Sequence, residues 1–237
     1  MMKTKILQIY YDIEQAPKLS LEGFFNGLIT DLPASPSYLA FESHCMVLAI
    51  LENRHEDCSH FGMVSWKFLE KMKTSKRWPG LIKNHSSVPF ALTAFYKHAE
   101  KFDVCSLTSH PPHSVYALAE QYHPGICQLT QDIVDELRLD VDVRDMSRHG
   151  VIYFNYFVAE KSIYEHFVRS WLWPFIEMAL SPRFIHRSLG KSNYPMPFPD
   201  NLQIAFPGIN HYPMLPFMTE RLINLYLLKH KLNFSNF

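Results

Sequence analysis

Short apolar runs alternate with longer stretches at helical spacing along the chain, and together they predict an α/β protein. Lys5-Ile6-Leu7-Gln8-Ile9-Tyr10-Tyr11 has the length and apolarity of a strand in the middle of a parallel sheet, and it ends at the polar Asp12. Ser35 to Leu51 reads as one buried helix, with Ser35 at the N-cap and Pro36 at the first helical position. On that helix Glu42 shares a line with Tyr38, Met46 and Ala49, so a carboxylate is carried into an apolar surface. His60 to Phe68 reads as a second strand, Phe90 to Lys101 as a helix, Phe102 to Leu107 as a strand and Val115 to Tyr122 as a helix.

Val151 to Ala159 is an apolar strand interrupted by Asn155. The helix after it opens with Ser162 and Glu165 in a capping-box pattern and should kink or break at Pro174. Leu215 to Lys229 reads as one apolar, buried helix opened by Pro216, with Glu220 and Asn224 on one line and Arg221 beside them. No repeat, low-complexity segment or linker divides the chain, which predicts a single domain over 1–237.

Composition narrows the class. Of 237 residues 47% are hydrophobic and 14% aromatic, which excludes disorder, and 23 Lys and Arg balance 23 Asp and Glu, so no net field draws nucleic acid. The four cysteines, Cys45, Cys58, Cys105 and Cys127, have none of the short paired spacings of a zinc site and read as reduced thiols of a cytoplasmic protein. No apolar window is long enough to span a bilayer, although Lys229, His230 and Lys231 would suit the last helix to peripheral contact with a membrane surface.

The candidate chemistry is scattered. Asp12, at the carboxyl end of a parallel strand, is placed for a nucleotide contact or for a turn. Trp66 and Lys67 end the second strand, as a ligand platform with a cation or as core and solvated strand end. Asn155 brings an amide into apolar surroundings, suited to reading sugar hydroxyls or to satisfying a bulge. His110, His113 and His123 lie in loops where imidazoles meet phosphate or act as bases. The segment from Ser181 to Pro213, rich in Pro and aromatics and carrying Arg183, His186, Arg187, Lys191, Asn193 and Tyr194, reads as a lid or acceptor loop. Asp103 has Cys105 where the second carboxylate of an Asp-x-Asp metal motif would stand, and Asp140-Val141-Asp142 lies in a charged run, so no metal site and no cofactor is implied, and a divalent metal is not favoured.

Three stretches carry a resemblance: the helix with Glu42 followed by the Gly62 strand, the Asn155-aromatic step, and Glu220-Arg221-Leu-Ile-Asn-Leu-Tyr-Leu. Together they resemble a family of bacterial glycosyltransferases from capsule and polysaccharide clusters, long catalogued as a domain of unknown function. The resemblance implies a GT-A-like nucleotide-diphospho-sugar transferase fold, with a central mixed sheet flanked by helices. It implies a nucleotide-sugar donor and a glycan acceptor, and transfer to a hydroxyl of a surface or capsular glycan, in a cytoplasmic protein whose basic last helix suits peripheral contact with the inner membrane. On this reading Glu220 is catalytic, Asp12, Lys67 and Arg221 hold the nucleotide diphosphate, and Glu42, Trp66 and Asn155 hold sugar or acceptor. Trp66-Lys67 stands where the family has a His-Tyr-Arg-Arg run, which motivates the alternative of a non-catalytic glycan- or partner-binding member of the same fold.

Overall fold

A computed structural model describes residues 4–10, 25–28, 35–68, 88–107, 115–145, 152 and 155–237. Asp12, His110 and His113 lie outside the described residues. The chain forms one α/β domain around an open mixed sheet, ordered β2-β1-β3-β5-β4-β6. Strand β1 (Thr4–Tyr10) pairs in parallel with β2 (Phe25–Leu28) on one side and β3 (His60–Ser65) on the other. Strand β5 (Phe157–Glu160) runs antiparallel between β3 and β4 (Val104–Ser106), and β6 (Phe234–Asn236) adds in parallel to β4. Five strands therefore point one way, and their carboxyl ends share an edge with the amino end of β5.

Both sheet faces are covered, which is why the strands read as near-continuous apolar runs. Leu7, Ile9, Phe61, Met63, Phe157 and Ala159 face the larger core. Ile6, Val64, Cys105 and Val158 face the smaller one, under helix α2 (Val88–Ala99). Gly62 lies opposite Val158, and a Cβ there would sit 2.4 Å from the Phe157 carbonyl oxygen and 2.7 Å from Val158 Cγ2. Close approach of β5 to β3 requires a residue without a side chain at that point.

Two helices expected to be continuous are each broken beside a charged residue. Pro36–Ala40 is a 3-10 turn, Phe41 takes φ 49°, and α1 (Glu42–Leu51) starts afresh, so Glu42 is the first residue of a helix and not a mid-helix residue in line with Tyr38. Near the C-terminus α9 (Leu215–Thr219) stops, Glu220 and Arg221 form a turn, and α10 (Leu222–His230) begins. The described elements between these are α3 (Val115–Tyr122), α4 (Ile126–Glu136), α5 (Lys161–Phe167), α6 (Trp173–Ala179), α7 (Ile185–Ser188) and α8 (Asp200–Ala205). A π-helical turn, Val168–Leu172, joins α5 to α6 directly ahead of Pro174, so the helix runs on past the proline with its irregularity taken up in the preceding π turn. The expected capping box does not form: Ser162 donates to Glu160 at 2.7 Å, while Glu165 accepts from Arg169 at 2.8 Å. No described helix is long and apolar enough to cross a membrane.

Candidate functional site

The carboxyl edge of the sheet gathers the polar groups that the core does not absorb. Strand β3 delivers Ser65 there, and Tyr156 arrives just before β5, its hydroxyl hydrogen-bonded to the Ser65 hydroxyl. Asn155 precedes it in a turn at φ 55°, so it is not a residue of an apolar strand. Asparagine tolerates this left-handed conformation better than most side chains. Its amide donates to Ser43 Oγ at 3.1 Å and ties the turn to the start of α1, beside Glu42.

A second tie fixes the other wall. Asn224 on α10 accepts from the Ile152 amide at 2.8 Å and donates to the Ile152 carbonyl at 3.0 Å. This two-way bond joins the chain leading into Asn155 to the helix that begins after Arg221. Glu42, at the start of α1, and Glu220, in the break before α10, both act on the phenols of this edge. Burial raises the Tyr156 phenol well above its ordinary pKa, and the Glu42 and then the Glu220 carboxylate push in the same direction, against the hydrogen bond from Ser65. Tyr194 is raised by burial, then by Glu220 and by Glu42, and Tyr212 by burial, by Tyr194 and by Glu42. The two carboxylates are thus electrostatic neighbours of one set of phenols. Glu42 forms no side-chain hydrogen bond or ion pair among the described residues, and it is the first residue of α1.

Arg221 follows Glu220 in the same turn. It is 8% exposed, donates from Nη1 to the Phe217 carbonyl at 2.6 Å, and reaches Glu220 Oε2 at 3.5 Å. Not every polar atom in this corner is paired. Arg221 Nε, Tyr116 Oη and His123 Nδ1 are all buried without a hydrogen-bond partner. His123 stacks on Phe217 with ring centroids 4.0 Å apart. Burial, and then the Arg221 charge, lower the His123 pKa to about 4, so its imidazole is neutral at pH 7. Glu120 organises this corner: it accepts from the amides of Gly125 at 2.6 Å and Cys127 at 2.9 Å, capping α4 across its left-handed Gly125. Burial, then Glu120, raise the Cys127 thiol to about 12 while Arg221 pulls it down, so Cys127 is a protonated thiol.

Four of the residues expected at a site, Glu42, Asn155, Glu220 and Arg221, are therefore brought together. Trp66 and Lys67 follow Ser65 at the same edge, with Lys67 Nζ 4.9 Å from the centre of the Trp66 ring; Trp66 is half-buried and Lys67 is exposed. No family model matches the chain, and neither a curated protein nor a solved structure does. The site consequently rests on its own geometry, to which sequence reading did not assign Ser65, Tyr116, Tyr156 and Tyr212. Only His123 and Tyr194 had left a signal, as a loop imidazole and as part of the 181–213 segment.

Elsewhere the charges are spent on each other. Arg183 and Arg187 pair with Glu136 and Asp132 on α4. Asp140 pairs with Lys229, and Asp142 with Arg144 at 2.6 Å. Among the described residues no group of three or more His, Cys, Asp or Glu is arranged to hold a metal ion. An open cleft of about 510 Å³ lies at the opposite sheet edge, lined among others by His60, Glu100, Asp103, Glu160, Lys161 and Glu165.

Proposed function

We propose that the protein is a glycosyltransferase with a GT-A-like fold, moving a sugar from a nucleotide diphosphate to a hydroxyl of a surface or capsular glycan. The observation that carries this reading is the convergence of Glu42 and Glu220 beside a buried Arg221, at the carboxyl edge of parallel strands where open α/β sheets collect ligands. A cation flanked by neutral donors suits the leaving diphosphate, and a carboxylate next to it suits the acceptor. The acceptor oxygen bonds to the anomeric carbon and its proton passes to Glu220. The bond from that carbon to the diphosphate oxygen breaks, and its electron pair leaves with the nucleotide diphosphate beside Arg221. Glu42 and the Asn155 turn hold sugar hydroxyls, while Lys67, over Trp66, adds charge at the mouth.

The four cysteines form no disulfide, which agrees with a reducing compartment, and we place the protein in the cytoplasm at the inner membrane face, where its last helix presents Lys229, His230 and Lys231. Calorimetric titration with uridine, guanosine, cytidine and thymidine diphosphates tests the reading. Saturable binding of at least one is expected, with hydrolysis or transfer of the matching nucleotide sugar. Folded protein that binds none of the four would end it, and binding without turnover would favour a non-catalytic, glycan-binding member of the fold.

A further inference from the structure

The segment from Lys191 to Pro213 is a closed loop and not a loose connection. Lys191 and Pro213 form an isolated antiparallel bridge, the Ser192 amide donates to the Tyr212 carbonyl at 2.9 Å, and the Met214 amide donates to the Gly190 carbonyl at 3.1 Å. This stem sets Tyr194 on one limb against Tyr212 on the other, ring centroids 4.8 Å apart at 76°. Phe198 supports Tyr212 from within the loop at 5.3 Å and 89°. Tyr194 also leans on Phe217 at 5.4 Å, and Phe217 is the ring that stacks on His123 beside Arg221. A continuous path of rings thus leads from the buried guanidinium to Tyr194, which is 43% exposed.

We propose that Tyr194 and Tyr212 form the stacking platform for a pyranose of the acceptor glycan, with Glu42 and Glu220 accepting hydrogen bonds from its hydroxyls. The inference rests on the transferase reading for the word acceptor, but the glycan platform itself does not. Aromatic rings present a flat apolar face with an electronegative surface that suits the C–H face of a sugar, and the phenol oxygens add donors at the ring edges. Phe41, the neighbour of Glu42, packs on Tyr212 with ring centroids 5.9 Å apart, and Glu220 and Glu42 both act on the Tyr194 phenol, so carboxylates set the charge of the partner. They accept from hydroxyl or ammonium groups and repel a sugar carboxylate, so the sugar seated here is neutral or an amino sugar, not a uronic acid. The diphosphate belongs instead to Arg221, at the other end of the ring path. This division keeps the anionic donor and the uncharged acceptor on opposite sides of Glu220, the residue between them.

The test uses an array of neutral, amino-substituted and uronic-acid oligosaccharides, probed with the wild-type chain, Tyr194→Ala and Tyr194→Trp, with nucleotide diphosphate titrations and thermal unfolding run on the same samples. Retention of neutral or amino glycans by wild type is expected, with at least a tenfold loss in Tyr194→Ala and recovery in Tyr194→Trp. Equal retention by Tyr194→Ala, stronger retention of uronic-acid glycans, or no retention of any glycan by folded wild type would each overturn the platform. Tyr194-dependent glycan retention without nucleotide binding would uphold the platform and bring down the transferase reading alone.

Discussion

Among the described residues the two edges of the sheet use their ionisable groups in opposite ways. At the amino edge of β3, around the open cleft, nearly every charge has an ordinary structural task. Glu165 holds Arg169 at 2.8 Å and His55 at 3.4 Å, Asp103 accepts from the Asn233 amide at 2.8 Å, and Lys161 donates to the Glu56 carbonyl at 3.1 Å. At the carboxyl edge two carboxylates face common phenols, and a buried guanidinium sits among polar atoms without partners. Burying groups in that way costs stability, and proteins keep such costs where a ligand repays them. Openness is thus a poorer guide to a site here than electrostatic dissatisfaction.

The largest expected effect separates the edges directly. Arg221→Met should lower donor turnover by roughly 10²–10³-fold, the size seen when one preorganised donor to a developing charge is lost. Glu160→Gln, at the cleft, should change it less than twofold. Initial rates with a nucleotide sugar that the wild type accepts decide the matter, and equal losses in both variants would erase the distinction. Next comes the strand that joins the edges. Gly62→Ala forces a methyl against the Phe157 carbonyl and should cost about 1–3 kcal/mol, read as a lower urea midpoint, and it should impair both edges together.

Acid should also act unequally on the two ends. Burial lowers the His44 pKa from 6.5 to about 4 in the folded chain, and both ring nitrogens are buried without a hydrogen-bond partner. A depressed folded pKa means that the unfolded chain takes up the proton first. Stability from this group is complete above pH 6.5, declines as pH falls towards 4 and then levels off, with a total of roughly 3 kcal/mol at most. His44→Met should flatten that decline in a thermal-unfolding series across pH. At the opposite edge burial also lowers the His60 pKa, but Glu100 and Glu160 oppose it, so replacing His60 should flatten the decline less. The smallest effect belongs to the outer surface: Arg187→Ala, which removes the 2.6 Å pair with Asp132, should shift unfolding by about 0–1 kcal/mol and leave both edges as they were.

Much of the frame was legible because local pattern and final fold agree. Lys5 to Tyr10 is apolar on both faces and became β1, and the Val115–Tyr122 helix has the bounds its spacing predicts. Strands β2 and β6 were not legible, since Phe-Asn-Gly-Leu and Phe-Ser-Asn are short and half polar and pair only because a parallel neighbour is already in place. At the site, residue types were easier to read than positions. Glu42, Asn155, Glu220 and Arg221 stand out as polar residues in apolar stretches, yet periodicity put all four of them in the interior of regular elements. Tertiary contacts overrode that pattern at Phe41, at Asn155 and at the turn before Leu222, each of them a conformation that pairwise spacing along the chain does not encode. Asp12 lies outside the described residues, so its expected nucleotide contact stands as a sequence expectation.

The tie between Asn224 and Ile152 has a consequence for the order of assembly during synthesis. Glu42 leaves the ribosome early, with the first helix, whereas Glu220, Arg221 and Asn224 come with the last one. A nascent chain can pair β1 with β3 and fill much of the core well before α10 exists, but it has no second carboxylate, no guanidinium and nothing to fix the segment that leads into Asn155. Contacts so distant in sequence close slowly, because loop entropy must be lost before they give anything back. A half-made protein would therefore have most of its sheet but an incomplete carboxyl edge, and that edge would be completed in a single late step when α10 docks.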